Sequence, residues 1–143
     1  MRHPLALATA AIAIASAAYT CDAAAQPACL DVVVQNVRPQ QGYLMLAAYA
    51  DAESYAAKKA VQSLRVPAPA SAQATLQLCG VQSAEVAITM FQDLDGDGRM
   101  GTNVLRIPTE PWGASGTPGA FGPTWETARV PTATTPIVVK LTS

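Results

Sequence analysis

Apolar residues recur at every second position along much of this chain, and the interruptions of that alternation mark out its elements. Leu30 to Val37 (LDVVVQNV) and Tyr43 to Ala50 read as strands, with the turn-forming RPQQG at Arg38 to Gly42 between them. That arrangement predicts a hairpin. Asp51 to Ala60 (DAESYAAKKA) abandons the alternation: it is alanine-rich, with acids first and lysines last, and suits a short helix aligned with its own dipole. Lys58 and Lys59 at its end read as a solvated face. Val61 to Val66 is a short strand, and PAPASAQ at Pro67 to Gln73 is a loop that proline keeps out of regular structure. Ala74 to Cys79 alternates again, with Leu76 and Leu78 on one face and Thr75, Gln77 and Cys79 on the other. From Glu85 onward, Val86, Ile88 and Met90 alternate with Ala87, Thr89 and Phe91, the pattern of a strand packed on at least one face.

Two further stretches, Thr124 to Val130 and Pro136 to Thr142, supply short strands, the last with Ile137, Val139 and Leu141 facing inward. Asn103 to Trp125 (NVLRIPTEPWGASGTPGAFGPTW) is rich in proline and glycine, carries few charges and reads as a long packed loop. Short strands at close intervals with a single helical candidate predict an all-β sandwich. No internal repeat interrupts the pattern.

The length of 143 residues fits one domain, and an apolar fraction of 50% is enough for an ordinary core. Part of that fraction sits at the N-terminus. Met1, Arg2 and His3 precede an apolar run from Leu5 to Ala18, broken only by Thr9 and Ser16, and AAAQ follows at Ala23 to Gln26. This is the pattern of a secretory signal peptide over residues 1–25, leaving a single domain over residues 26–143. Small residues at Ala23 and Ala25 favour cleavage after Ala25, with cleavage after Ala18 as the alternative. A spanning helix needs about 20 apolar residues, so no integral membrane segment is expected in the mature chain, and its expected location is periplasmic or secreted.

The later cut removes Cys21, leaving Cys29 and Cys79. A lipid anchor on Cys21 is disfavoured by the bulky Tyr19 and Thr20 before it. Two cysteines in an oxidising compartment predict a disulfide, the alternative being two buried free thiols. Strand parity puts both at strand ends, off the core face. Bridging them closes a loop that the chain-entropy relation values at about 4 kcal/mol.

Loss of residues 1–25 takes away Arg2 and Asp22 and leaves a net charge of −1, so nothing steers the chain toward nucleic acid. It also removes His3, the only histidine. Without imidazole there is no Ser/His/Asp or Cys/His arrangement and no zinc site with histidine ligands.

Site chemistry concentrates in DLDGDG at Asp93 to Gly98, directly after the strand from Glu85. Calcium loops supply carboxylates from alternate positions, a glycine for the sharp turn and then a backbone carbonyl. Asp93, Asp95, Asp97, Gly98 and the Arg99 carbonyl fit those roles, with Glu110 and waters to complete the shell. Val104 stands at the twelfth position, where an EF-hand carries a bidentate glutamate, and a strand precedes the loop, so this is not an EF-hand. The alternative is an acidic turn in which the aspartates bond nearby amides and the glycines take positive φ. A second candidate is a ligand platform made by Trp112, Phe121 and Trp125, against a reading in which these aromatics merely cover one end of the sandwich.

These residues carry a resemblance. The strand followed by FQDLDGDGRMGTNVLRIPTEPWGASG resembles the bacterial exported family designated domain of unknown function 2141, which has an Asp-rich DxNxNGxxD loop followed by GxPxExxGxS. Asp93, Asp95, Asp97 and Gly98 match the loop, and Ile107, Pro108, Glu110, Pro111, Gly113 and Ser115 match the sequel. Gly101 departs from a usual acidic residue and Arg106 from a usual glycine. The resemblance implies an immunoglobulin-like or transthyretin-like antiparallel β-sandwich and brings no catalytic residues.

The expected function is therefore that of a non-enzymatic binding or interaction module of the cell envelope. Calcium is its expected cofactor and an envelope protein or glycan its expected partner. The alternative is a small extracytoplasmic hydrolase using carboxylates near the acidic loop, such as Glu110 with Asp97.

Overall fold

The structure, a computed structural model, describes residues 28–143. The expected signal peptide, both cleavage sites and Cys21 lie outside the described residues. Eight strands and two short helices follow in order: β1 (Cys29–Gln35), β2 (Tyr43–Tyr49), α1 (Ala52–Ala56), β3 (Gln62–Pro67), β4 (Gln73–Cys79), β5 (Glu85–Asp93), β6 (Trp112–Ala114), α2 (Trp125–Ala128), β7 (Arg129–Pro131) and β8 (Ile137–Lys140). One sheet has the order β4-β1-β8 and the other β3-β2-β5-β6, with β7 also pairing with β5. All pairings are antiparallel except β1 with β8, which is parallel.

The alternation in the sequence becomes the core. Leu30, Val32 and Val34 of β1, with Ile137 and Val139 of β8, meet Leu44, Leu46 and Ala48 of β2 and Val86, Ile88 and Met90 of β5 in one buried cluster. Two sheets facing each other across such a layer make a β-sandwich. At about 25 cal/mol per Å² of apolar surface removed from water, this layer is the main source of stability.

The predicted hairpin between the first two strands does not form. β1 and β2 belong to different sheets. Residues 36–41 instead cross between sheets beside the loop after β3, held by Val37 N–H to Ala72 O and Gln40 N–H to Pro69 O, both at 2.9 Å. The pair β1/β4 thus turns a corner and continues as β2/β3. Gln92 locks this corner from below. Its buried side-chain amide donates to Arg38 O and Gln41 O at 2.7 Å each and accepts from Arg38 N–H at 2.8 Å. A turn-rich pentapeptide signals reversal, but it cannot say whether the chain reverses within a sheet or passes between two.

Cys29 and Cys79 are paired residues in the β1/β4 ladder and form the disulfide, outside the core as parity required. The helix expected over residues 51–60 is shorter, because Lys58 takes a left-handed conformation (φ 55°) that ends it. Its start is a capping box: Asp51 accepts from Ser54 N–H at 2.7 Å, and the Ser54 hydroxyl faces back. Those Ser54 hydrogen bonds hold the Asp51 carboxyl below the usual carboxylate range. The stretch Thr124 to Val130, expected as one strand, is α2 followed by β7. Thr124 and Thr127 exchange capping bonds, a helix start that its β-branched residues conceal.

The outer face of the five-stranded sheet is covered unevenly. Tyr49, Tyr55, Ala87, Ala114 and Ala128 form a second buried cluster beneath the two helices. Further along β5, Thr89 and Phe91 on the same face are only half buried. The helices stop short of them.

Candidate functional site

β5 delivers the acidic loop to one end of the sandwich, and the loop is built from its own side chains. Asp93, the last residue of β5, is fully buried. Its two carboxylate oxygens accept from Gly96 N–H at 2.8 Å and Gly98 N–H at 2.9 Å. Asp95 accepts from Asp97 N–H at 3.1 Å, and Asp97 from Arg99 N–H at 2.7 Å. Gly96 and Gly98 take φ of 79° and 78°, the conformation that spares a Cβ clash. Gly42 supports the loop from outside, since a Cβ there would overlap the Asp93 carbonyl.

The turn chemistry and the metal geometry coexist. One ligand atom from each of Asp93, Asp95 and Asp97 lies within 4.8 Å of the others. Asp95 and Asp97 are exposed, so each carries an oxygen open to a cation. An all-oxygen donor set of this kind suits a hard divalent ion such as calcium. Arg99 closes the loop through its amide.

Glu110 stands outside that group. It is buried, and it accepts from Leu94 N–H at 2.7 Å through one oxygen and from Gly101 N–H at 2.8 Å through the other. Those amides stand at the start of the acidic loop and three residues beyond its end. Glu110 therefore acts as a clasp on the loop, holding backbone amides with both oxygens as Asp93 does, a role that spacing alone could not separate from ligation.

The aromatic platform divides. Trp112 on β6 and Phe121 on the following loop line one groove of about 690 Å³, with Met100, Ile107 and Pro108. Trp125 opens α2 and packs on Tyr55 instead, ring centroids 6.5 Å apart. The tyrosine is pushed above its ordinary pKa by burial and then by Tyr49 beside it. As a neutral phenol it donates to Pro123 O at 2.9 Å, tying α1 to the loop that carries Phe121. Sequence reading missed β6, hidden in a Pro/Gly-rich stretch. Gly113 was its signal: the strand passes so close to β8 that a Cβ would strike the Lys140 carbonyl.

The two facing sheets, with the aspartate loop and its glutamate clasp at one end, define the chain as a β-sandwich protein. It belongs to the family described as "uncharacterized protein conserved in bacteria" (DUF2141), whose model matches residues 32–139. No curated protein and no solved structure matches the chain.

Proposed function

We propose that this chain is a periplasmic or secreted, non-enzymatic binding or interaction module of the bacterial cell envelope, and that its acidic loop takes up calcium weakly to stabilise the fold. The convergence of Asp93, Asp95 and Asp97 within 4.8 Å on an already ordered loop carries this reading. The disulfide is consistent with an oxidising compartment. Among the described residues, no helix is long and apolar enough to cross a membrane.

Hydrolase chemistry is disfavoured by how the buried carboxylates are used. Of the pair Glu110 and Asp97, Glu110 is buried with both oxygens on backbone amides and Asp97 already accepts from Arg99 N–H, whereas an acid/base pair needs its oxygens turned toward a substrate.

Calcium seeks about six to eight oxygens. The three aspartates, the Arg99 carbonyl and water make up a partly hydrated shell, with affinity of order 10⁻⁴ to 10⁻³ M, the range of extracellular modules. Repulsion among three carboxylates on one turn is relieved by the ion. At ten times the dissociation constant, binding stabilises by about 1.4 kcal/mol. The test is a thermal melt of protein recovered from the periplasm, in chelator and in millimolar calcium, beside an Asp95→Ala/Asp97→Ala variant. A rise of several degrees in wild type alone supports the reading, and identical wild-type melts sink it.

A further inference from the structure

Two ordered turns at one end of the molecule display apolar side chains that nothing in the fold covers. The first is the tip of a short ribbon over residues 101–109. Its base is closed by Thr109 N–H to Gly101 O and Asn103 N–H to Ile107 O, both 2.9 Å. Its tip is a β-turn with Arg106 N–H to Asn103 O at 2.9 Å, reinforced by the Asn103 side chain, which accepts from Leu105 N–H (2.9 Å) and Ile107 N–H (3.0 Å). At the two central positions stand Val104 and Leu105, 98% and 73% exposed, with Ile107 at 54% beside them. The second turn is closed by Gly122 N–H to Gly119 O at 3.1 Å and held by the Tyr55 hydroxyl on Pro123. It presents Phe121, completely exposed.

Turn geometry does not ask for these residues; central turn positions favour glycine, proline, asparagine, aspartate and serine. Of the six large exposed apolar residues among those described, four lie on these two turns. Both turns contribute to the groove containing Trp112, the first through Arg106 and Ile107 and the second through Ala120 and Phe121. Apolar display concentrated in this way marks a docking surface.

The charges say what docks. Arg99 and Arg106 are the only charged residues from 99 to 109, and residues 111–125 carry no charge at all. Within the groove, Lys58 and Arg106 are the charged side chains, and no aspartate or glutamate lines it. Ser143 reaches the rim, where the Arg38 guanidinium donates to its hydroxyl at 3.3 Å. An adjoining hollow, sharing Lys58, Thr89 and Met100, adds Arg65 and again no acidic side chain.

We infer that these two turns dock the protein peripherally on an anionic lipid bilayer, Val104, Leu105 and Phe121 entering the interface while Lys58 and Arg106 meet lipid head groups. A bilayer covers several separated apolar tips at once. Peripheral binding of this kind grows with buried apolar surface and with attraction to anionic lipid. Trp112, half buried in the groove wall, has the amphipathic character that suits the interface. Asp95 and Asp97, exposed on the preceding loop, oppose an anionic surface, so the apolar tips drive docking and the cations set lipid preference. The inference names the partner of the proposed binding module and does not depend on calcium.

The experiment is co-sedimentation with vesicles of phosphatidylglycerol and of phosphatidylcholine, in chelator, using protein recovered from the periplasm. Wild type should partition at least fivefold better onto phosphatidylglycerol. A Val104→Asp/Leu105→Asp/Phe121→Asp variant should lose at least tenfold in partition while melting like wild type, and Lys58→Gln/Arg106→Gln should erase the lipid preference. Val138→Asp, on the outward side of β8, should bind as wild type does. The inference is overturned by absence of wild-type sedimentation, by equal partition onto both lipids, by a loop variant that still binds, or by equal loss in Val138→Asp. Capture by glycan fragments or by an envelope protein, without vesicle binding, also overturns it. Because calcium is withheld throughout, vesicle results and the calcium melt fail independently.

Discussion

The acidic loop at residues 93–98 and the ribbon at residues 101–109 are neighbours in sequence, yet they turn their side chains in opposite senses. In the first, aspartates fold back onto the backbone, and the most buried of them satisfies two amides by itself. In the second, an asparagine does the backbone work and leaves Val104 and Leu105 facing water. Glu110 separates them, one oxygen on the near end of the acidic loop and the other on the base of the ribbon. A loop whose aspartates hold its own backbone is ordered by the fold itself. A loop whose apolar groups are spent on nothing is available to a partner.

That contrast can be broken by substitution. The largest effect is expected at Gly42→Ala, which places a Cβ against the Asp93 carbonyl at positive φ. Strain and overlap together should cost about 4 kcal/mol, read as a lowered urea midpoint. Glu110→Ala comes next, leaving two partly buried amides without acceptors for about 3 kcal/mol, and Glu110→Gln should recover roughly half by keeping one acceptor. An unchanged midpoint in Glu110→Ala would remove the clasp. Tyr55→Phe releases the Phe121 loop from α1 and should cost about 1 kcal/mol, with faster amide exchange at residues 119–123 as the sharper readout. The smallest effect belongs to the ribbon tip: Val104→Asp with Leu105→Asp should change stability by no more than about 0.5 kcal/mol per site. A large loss there would mean that the tip is packed in solution, and the contrast would fail.

Much of the frame was legible because alternation is local. Val32, Val34, Ile88, Met90, Ile137 and Val139 each announce an inward face through their immediate neighbours, and parity alone placed Cys29 and Cys79 outside the core. The aspartates of the acidic loop were equally plain, since both turn and ligand chemistry depend on spacing within six residues. Strand partnership was not legible. RPQQG reads as a hairpin turn, and only the buried Gln92 amide, about fifty residues away, reveals it as a crossing between sheets.

What the amino-acid sequence determined by itself was most of the strands (β1 to β5 and β8), the face each of these buries, the two cysteines left to pair and the composition of the acidic loop, all properties set by nearest neighbours and by which residue types exist. What only the tertiary structure decided was which strands share a sheet, that Glu110 clasps the start of the acidic loop and the base of the ribbon, that Gly113 lets β6 press against β8, and that two turns distant in sequence meet at one groove with apolar side chains exposed. These depend on contacts between segments far apart in the chain, where many partners satisfy the same local pattern and close packing selects one of them.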